Sequence, residues 1–284
     1  MLWLIYAIVA MFAEGIKDVI NRFVMLSEDP YAYAFIGNIL ASVFFFILLL
    51  IAGITLPKES FAWIFVLLSS IVWVIIMIVA NYSYKYTEVS IRAPISEIKL
   101  LILLVLSALV LSEAIVLKKL IGTLLIFGGL FVISYKGKKL FGRLSEKGVK
   151  LTLLASLFGA MVILIDKKGM GYFTPETYGF FVYLIPTFIL LFFLRNKKKE
   201  LKSIISKRWI YMVSVAILSS LYYLFKLKAL VLVDASIAFP VIRISSLITV
   251  LGGVIFLRER KEILKKIIAT VLIMIGAILI VGAA

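Results

Sequence analysis

Two residues of opposite charge, Glu97 and Arg243, hold equivalent places in a pattern that the chain writes twice. Each stands three residues after a proline, Pro94 or Pro240, inside an apolar stretch of membrane-span length, 88–115 and 234–262. A shift of 146 residues lays Glu88 on Asp234, Ser90 on Ser236, Pro94 on Pro240, Glu97 on Arg243 and Glu113 on Glu259. A proline within a span removes one backbone hydrogen bond and leaves a carbonyl free for a ligand or a water, so each is expected to kink its helix. Glu97 lies about nine residues into its helix and Arg243 about eight, which at about 1.5 Å per residue puts both near mid-membrane. Charges at that depth cost about 2.5–3.5 kcal/mol to insert, so each asks for a partner, a wet cavity or a task. The pair predicts zwitterion recognition, with Arg243 holding a carboxylate in a forked pair and Glu97 holding an amine. The plainer alternative is mutual neutralisation when no cargo is present, and the two readings are compatible.

A second cluster, Glu14, Lys17, Asp18 and Asn21, is spaced three or four residues apart and so shares one helix face. It reads as a carboxylate that exchanges a proton for cargo or, in the favoured reading, as an ion-pair cluster joining the first helix to the fourth. Lys99 points roughly 200° away from Glu97 around its helix; it is expected to meet a neighbouring carboxylate such as Glu14 and to take no part in holding cargo. Arg92, Lys226 and Lys228 are expected to snorkel to an interface. Glu113 and Glu259 are expected to form interfacial ion pairs beside Lys118, Lys119, Arg258 and Arg260. Asn38, Trp73, Asn81, Tyr82, Tyr178 and Tyr222 complete the expected cavity lining, although most tyrosines in such a protein pack or anchor at the interface. The chain has neither His nor Cys, and no nucleophile elbow, phosphate-cradling loop or zinc motif, so no catalytic residue, metal site or cofactor is assigned.

These residues need a scaffold, and composition defines it. Of 284 residues, 64% are hydrophobic and 16% charged, with a mean hydropathy of +1.16. No globular surface hides that much apolar side chain from water, so the sequence predicts an all-α membrane protein. Ten spanning helices are placed at 2–24, 32–54, 61–83, 89–111, 117–135, 150–168, 175–194, 209–231, 235–257 and 262–282. The first run lacks a basic start and a small-residue cleavage site and reads as a span, not a signal peptide. The repeat extends beyond the proline stretch: Pro30 and Pro175 both open a second helix of a half, Trp63 and Trp209 a third, and Gly129 and Gly276 both lie in a fifth. Five spans per half is odd, so the halves enter from opposite faces as two inverted five-helix repeats, a common build for secondary carriers with the cargo site at the repeat interface.

The serine, the apolar-Pro step and the long apolar run ending in Glu resemble the signature helix of EamA-type carriers in the drug/metabolite transporter superfamily. The resemblance implies two EamA-like repeats, 1–138 and 150–284, joined by a basic linker at 139–149. It also implies a central cavity walled mainly by the third, fourth, eighth and ninth helices, with the fifth and tenth on a support or dimer side. Glu14 is similar to the membrane-embedded first-helix Glu of the small multidrug relatives.

The net charge of +16 reflects short loops after the fifth, seventh and ninth helices, at 136–150, 195–208 and 258–266, and points to topology and anionic lipid headgroups, not nucleic acid. Positive-inside orientation puts those loops in the cytoplasm and both termini outside the cell membrane. The expected function is a secondary transporter, monomer or homodimer, exporting an amino acid or related zwitterion by alternating access, driven by a proton or a counter-solute. A phosphorylated-metabolite exchanger of nucleotide-sugar or sugar-phosphate type and a lipid-head translocase are the alternatives.

Overall fold

The computed structural model describes residues 2–111, 117–134 and 142–282. All ten expected segments are helical over these residues, and the described chain contains no strand. The first three are α1 (Leu2–Met25), α2 (Pro30–Ala52) and α3 (Trp63–Tyr86). The fourth is divided into α4 (Val89–Ser96) and α5 (Ile98–Leu111), and the fifth is α6 (Leu117–Ser134). The second half begins with α7 (Lys147–Gly169) and α8 (Pro175–Leu191), followed by a short helix, α9 (Lys198–Lys207). Then come α10 (Trp209–Leu232), a ninth segment divided into α11 (Ala235–Arg243) and α12 (Ser245–Ile255), and α13 (Ile263–Val281). The expected linker lies partly outside the described residues, as do Glu113 and the first lysines of the 136–150 run; its later part forms a 3-10 turn, Gly142–Ser145, and the start of α7.

Local chemistry sets the ends. Asp29 caps α2, its Oδ1 accepting from the backbone N–H groups of Tyr31 and Ala32 at 3.0 Å, and Pro30 takes the first helical position, where no N–H is needed. Thr174 and Pro175 repeat that arrangement at α8. The two prolines expected to kink their helices lie inside α4 and α11, and the interruptions fall downstream of them, at Glu97 and Ile244. There the ladder tightens to i→i+3 bonding, Glu97 N–H to Pro94 O at 3.2 Å and Ile244 N–H to Val241 O at 3.2 Å. Glu97 thus sits at the first break, and Arg243 is the residue just before the second.

Among the described residues, seven helical stretches are long and apolar enough to cross a membrane unaided: Pro30–Ala52, Ser60–Tyr86, Val89–Val110, Lys147–Gly169, Pro175–Leu194, Trp209–Leu232 and Ala235–Ile255. α1 is 24 residues long but carries Glu14, Lys17, Asp18 and Arg22, the first and third of them buried. The outer surface is apolar, with Leu50, Ile51, Leu109 and Leu124 among its most exposed side chains, as lipid contact requires and water contact forbids. The molecule is a multi-pass membrane protein.

The two halves interlock. α1 packs on α10, α3 on α7, α2 on α8, α4 on α12 and α6 on α13, so each of these pairs joins a helix of one repeat to a helix of the other. The first-to-eighth and third-to-sixth segment pairings exchange under the repeat, as two inverted copies require. α6 and α13 meet backbone to backbone: a Cβ on Gly129 would stand 2.6 Å from the Ala269 carbonyl oxygen, and one on Gly276 would collide with that of Gly122. Small residues permit this approach. The run 195–208, expected as a loop, contains α9, whose Ile204 is buried while Ile205 is exposed. Its charge density hides a short amphipathic helix from a hydropathy reading.

Candidate functional site

A cavity of about 170 Å³ lies between the halves. That is room for several waters or one small solute. Each helix that borders it presents a face at helical spacing. α1 contributes Glu14, Lys17, Asp18 and Asn21, the face the sequence predicts. α3 contributes Trp73, Met77, Asn81 and Tyr84, and α7 Ala155, Ser156, Gly159 and Val162. α2 brings Tyr33 and Asn38, α8 Tyr183, α10 Tyr222 and Lys226, and the broken segments bring Arg92, Ser96, Lys99, Phe239 and Arg243. Among the described residues, neither α6 nor α13 contributes, in keeping with a supporting position.

The opposed pair forms, but not as a two-ended binding site. Arg243 Nε donates to both oxygens of Glu97 at 3.0 Å, and its Nη2 donates to Oε1 at 2.5 Å. Arg243 also reaches Glu14 at 3.2 Å and Ser96 Oγ at 3.0 Å. Glu97 is fully buried and lies behind the cavity wall. Its expected role as an amine ligand is corrected on this geometry: the face of the fourth segment that borders the cavity is Arg92, Ser96 and Lys99, spaced four and three apart, and Glu97 sits one residue off that stripe. Lys99, expected to stay away from cargo, is on the wall instead.

The first-helix cluster pairs internally and across to the fourth segment. Lys17 donates to Glu14 at 2.5 Å, and Asp18 accepts from Tyr84 at 2.5 Å and lies 3.6 Å from Arg92. Arg92 stacks over the Tyr84 ring at 3.8 Å and does not snorkel. Lys226 does not snorkel either. It is buried, donates to Asp166 Oδ2 at 2.7 Å and lies 4.0 Å over the Tyr223 ring. Asp166 Oδ1 accepts from Ser69 at 2.7 Å, Tyr178 at 3.1 Å and Tyr223 at 3.2 Å. Both oxygens of this buried carboxylate thereby have donors, and one of those donors is a cation, which is what makes burying it tolerable. The sequence reading missed Asp166, because an Asp followed by Lys167 and Lys168 at a helix end resembles an interfacial cluster. Lys228 does stay near a surface, 2.9 Å from Glu176.

Six further residues expected from the sequence have the following places. Asn38 and Trp73 border the cavity, and Asn38 Oδ1 and Trp73 Nε1 are buried without a hydrogen-bond partner among the described residues. Asn81 borders it too, while donating to the Pro30 carbonyl at 3.1 Å. Tyr82 does not: α3 presents Tyr84 to the cavity, and Tyr82, two residues earlier, lies roughly 200° around the helix, stacked on Tyr86 and edge-on to Tyr31. Tyr178 is fully buried in the aromatic layer with Phe173, beside Asp166 and off the cavity wall. Glu259 makes more than an interfacial pair. It crosses to the other repeat and caps α4, accepting from the N–H of Val89 at 3.0 Å, the N–H of Ser90 at 2.9 Å and Ser90 Oγ at 2.6 Å, with Arg22 Nε at 3.4 Å. Glu113, its counterpart in the repeat, lies outside the described residues.

Two interlocked helical repeats around a charged intramembrane cavity define the class of solute carriers. The EamA-like transporter family model matches residues 1–135 and 146–282, and the chain belongs to that family. A solved structure, titled only as the crystal structure of a protein, superposes with a TM-score of 0.67 over 97% of each chain at 12% identity, a likeness of fold alone. No curated protein matches the sequence.

Proposed function

We propose that this EamA-family transporter is a secondary carrier of the cell membrane, exporting a small amino acid or related zwitterion by alternating access. The observation that carries this reading is a cavity of about 170 Å³ bordered by charges of both signs, Glu14 and Asp18 against Lys17, Arg92, Lys99, Lys226 and Arg243. An amine would face Glu14 and Asp18 in place of Glu97, and the rings of Trp73, Tyr84 and Tyr222 would cover the apolar part of the solute. The chain divides into repeats at 1–138 and 150–284, which rock about this site, powered by a proton or a counter-solute. The basic loops face the cytoplasm and both termini face outward.

The excess of cations supports a second reading, exchange of a small phosphorylated metabolite. Counterflow into proteoliposomes decides between them, with labelled L-alanine, L-serine, lactate, glycerol 3-phosphate and a cationic dye as the panel. Saturable alanine or serine exchange is the expected result. Exchange of glycerol 3-phosphate or the dye alone would overturn the amino-acid reading.

A further inference from the structure

The charges of the cavity do not balance. Among the described residues, the wall and the layer behind it hold five cations, Lys17, Arg92, Lys99, Lys226 and Arg243, and four carboxylates, Glu14, Asp18, Glu97 and Asp166. Every carboxylate is committed: Glu14 to Lys17 and Arg243, Asp18 to Arg92, Glu97 to Arg243 and Asp166 to Lys226. Lys99 is the cation left over, with no carboxylate oxygen within 4.0 Å of its Nζ among the described residues.

Its position is built. Gly159 on α7 supplies the groove for the Lys99 stem: a Cβ there would stand 2.9 Å from Lys99 Cε, 3.3 Å from Cδ and 3.4 Å from Nζ. Gly159 and Lys99 both border the cavity, so the ammonium is delivered to open space and not into packing. Glu14 and Glu97 attract it from a distance, while Arg243 and Arg92 repel it. Trp73, also on the wall, has its Nε1 buried and without a hydrogen-bond partner among the described residues. A cation held away from bulk water without a counter-ion is expensive, and the partner that would relieve that cost is an anion from outside the chain.

We propose that Lys99 is the anion anchor of the cavity, its ammonium taking a carboxylate or phosphate of the transported solute, which supplies the negative charge missing from the wall. This rests on the carrier reading above and deepens it. Lys99 then determines specificity, while Arg243, with Glu97 and Glu14 on it, holds the wall together.

The chain contains no cysteine, so Ala155→Cys, one helical turn from Gly159 on the same wall, supplies a single thiol. Its rate of modification is measured with an anionic (sulfonatoethyl) and a cationic (trimethylammonioethyl) methanethiosulfonate. The anionic reagent is expected to react faster, the rate ratio to fall about tenfold with Lys99→Gln, and Lys99→Arg to restore it. A ratio indifferent to Lys99→Gln overturns the proposal. Thermal unfolding gives an independent reading, useful if the thiol reacts poorly. Lys99→Gln is expected to hold or raise the midpoint, whereas a fall matching that of Lys226→Met would make Lys99 a structural ion-pair member and overturn the anchor. Counterflow of L-alanine and glycerol 3-phosphate then distinguishes the oxyanion. Loss of the favoured exchange in Lys99→Gln supports the anchor, and exchange at the unaltered rate rejects it while leaving the carrier intact. A collapsed reagent ratio with neither solute moved by the unmutated protein keeps the anchor and rejects the cargo reading.

Discussion

Arg243 grips Glu97 through both carboxylate oxygens at the point where the two broken segments meet, with Nε at 3.0 Å from each oxygen. The residues are 146 positions apart and equivalent in the repeat, so this one contact ties copy to copy at the level of the cavity. Removing Arg243 strands the buried Glu97 carboxylate, and removing Glu97 leaves Arg243 with Glu14 as its one remaining carboxylate among the described residues. Arg243→Gln and Glu97→Gln are each expected to cost about 3–5 kcal/mol, and the double substitution less than the sum. Equilibrium unfolding in mixed micelles checks this. Losses near zero for both singles would show that the pair contributes nothing to the fold.

The Asp166–Lys226 pair is the second buried tie, at 2.7 Å and roofed by Tyr178 and Tyr223. Lys226→Met leaves the carboxylate with three hydroxyl donors and no cation, so a loss of about 3 kcal/mol or more is expected. Asp166→Asn with Lys226→Met should recover most of it. A double-mutant cycle on unfolding free energies reads the coupling, and additivity would contradict a direct pair.

Glu259 joins the end of one proline segment to the start of the other by capping α4. Glu259→Ala removes the acceptor for two backbone N–H groups and one hydroxyl, and is expected to cost about 1–2 kcal/mol. Glu259→Gln should keep roughly half of that through its remaining acceptor oxygen. Hydrogen exchange at Val89 and Ser90 should rise in Glu259→Ala, and unchanged protection there would contradict the cap.

Asp29 has two tasks that substitutions separate. It caps α2 through Oδ1 and accepts from Lys197 through Oδ2 at 2.5 Å. Asp29→Asn keeps the cap and loses the ion pair, about 0.5 kcal/mol; Asp29→Ala loses both, about 1.5 kcal/mol. Burial works against the Lys197 ammonium, but the hydrogen bond and charge of Asp29 outweigh it and raise the group above its ordinary 10.5. A raised cation contributes fully below its unfolded value and loses that contribution as pH climbs through the folded one. The gap between the unmutated protein and Asp29→Asn should therefore be constant from neutral pH to about 10 and close above it. A gap that closes near pH 7 would assign the effect elsewhere.

The helices were legible because every segment must satisfy its backbone internally, so long apolar runs have one solution in lipid. The repeat was legible because Pro94, Glu97, Pro240 and Arg243 are rare residue types at a fixed offset. What the sequence did not disclose is the rotation of each helix about its own axis. Lipid and protein interior are equally apolar, so hydrophobicity does not say which face turns inward. That is why Tyr82 was expected where Tyr84 stands, and Glu97 where Lys99 stands. α1 is the exception, because its four polar residues share one stripe and could point only inward. Asp166 and Lys226, 60 positions apart, carried no local sign of their pairing, and each was read against its own neighbours near a helix end.

The cross-repeat pairing of α1 with α10, α2 with α8 and α6 with α13 bears on biogenesis. When the ribosome has made the first five segments, the helices they will finally rest on have yet to be translated. The early segments must therefore wait in the bilayer with their charged faces, Glu14 and Asp18 included, provisionally housed, and the last segments complete the structure all at once.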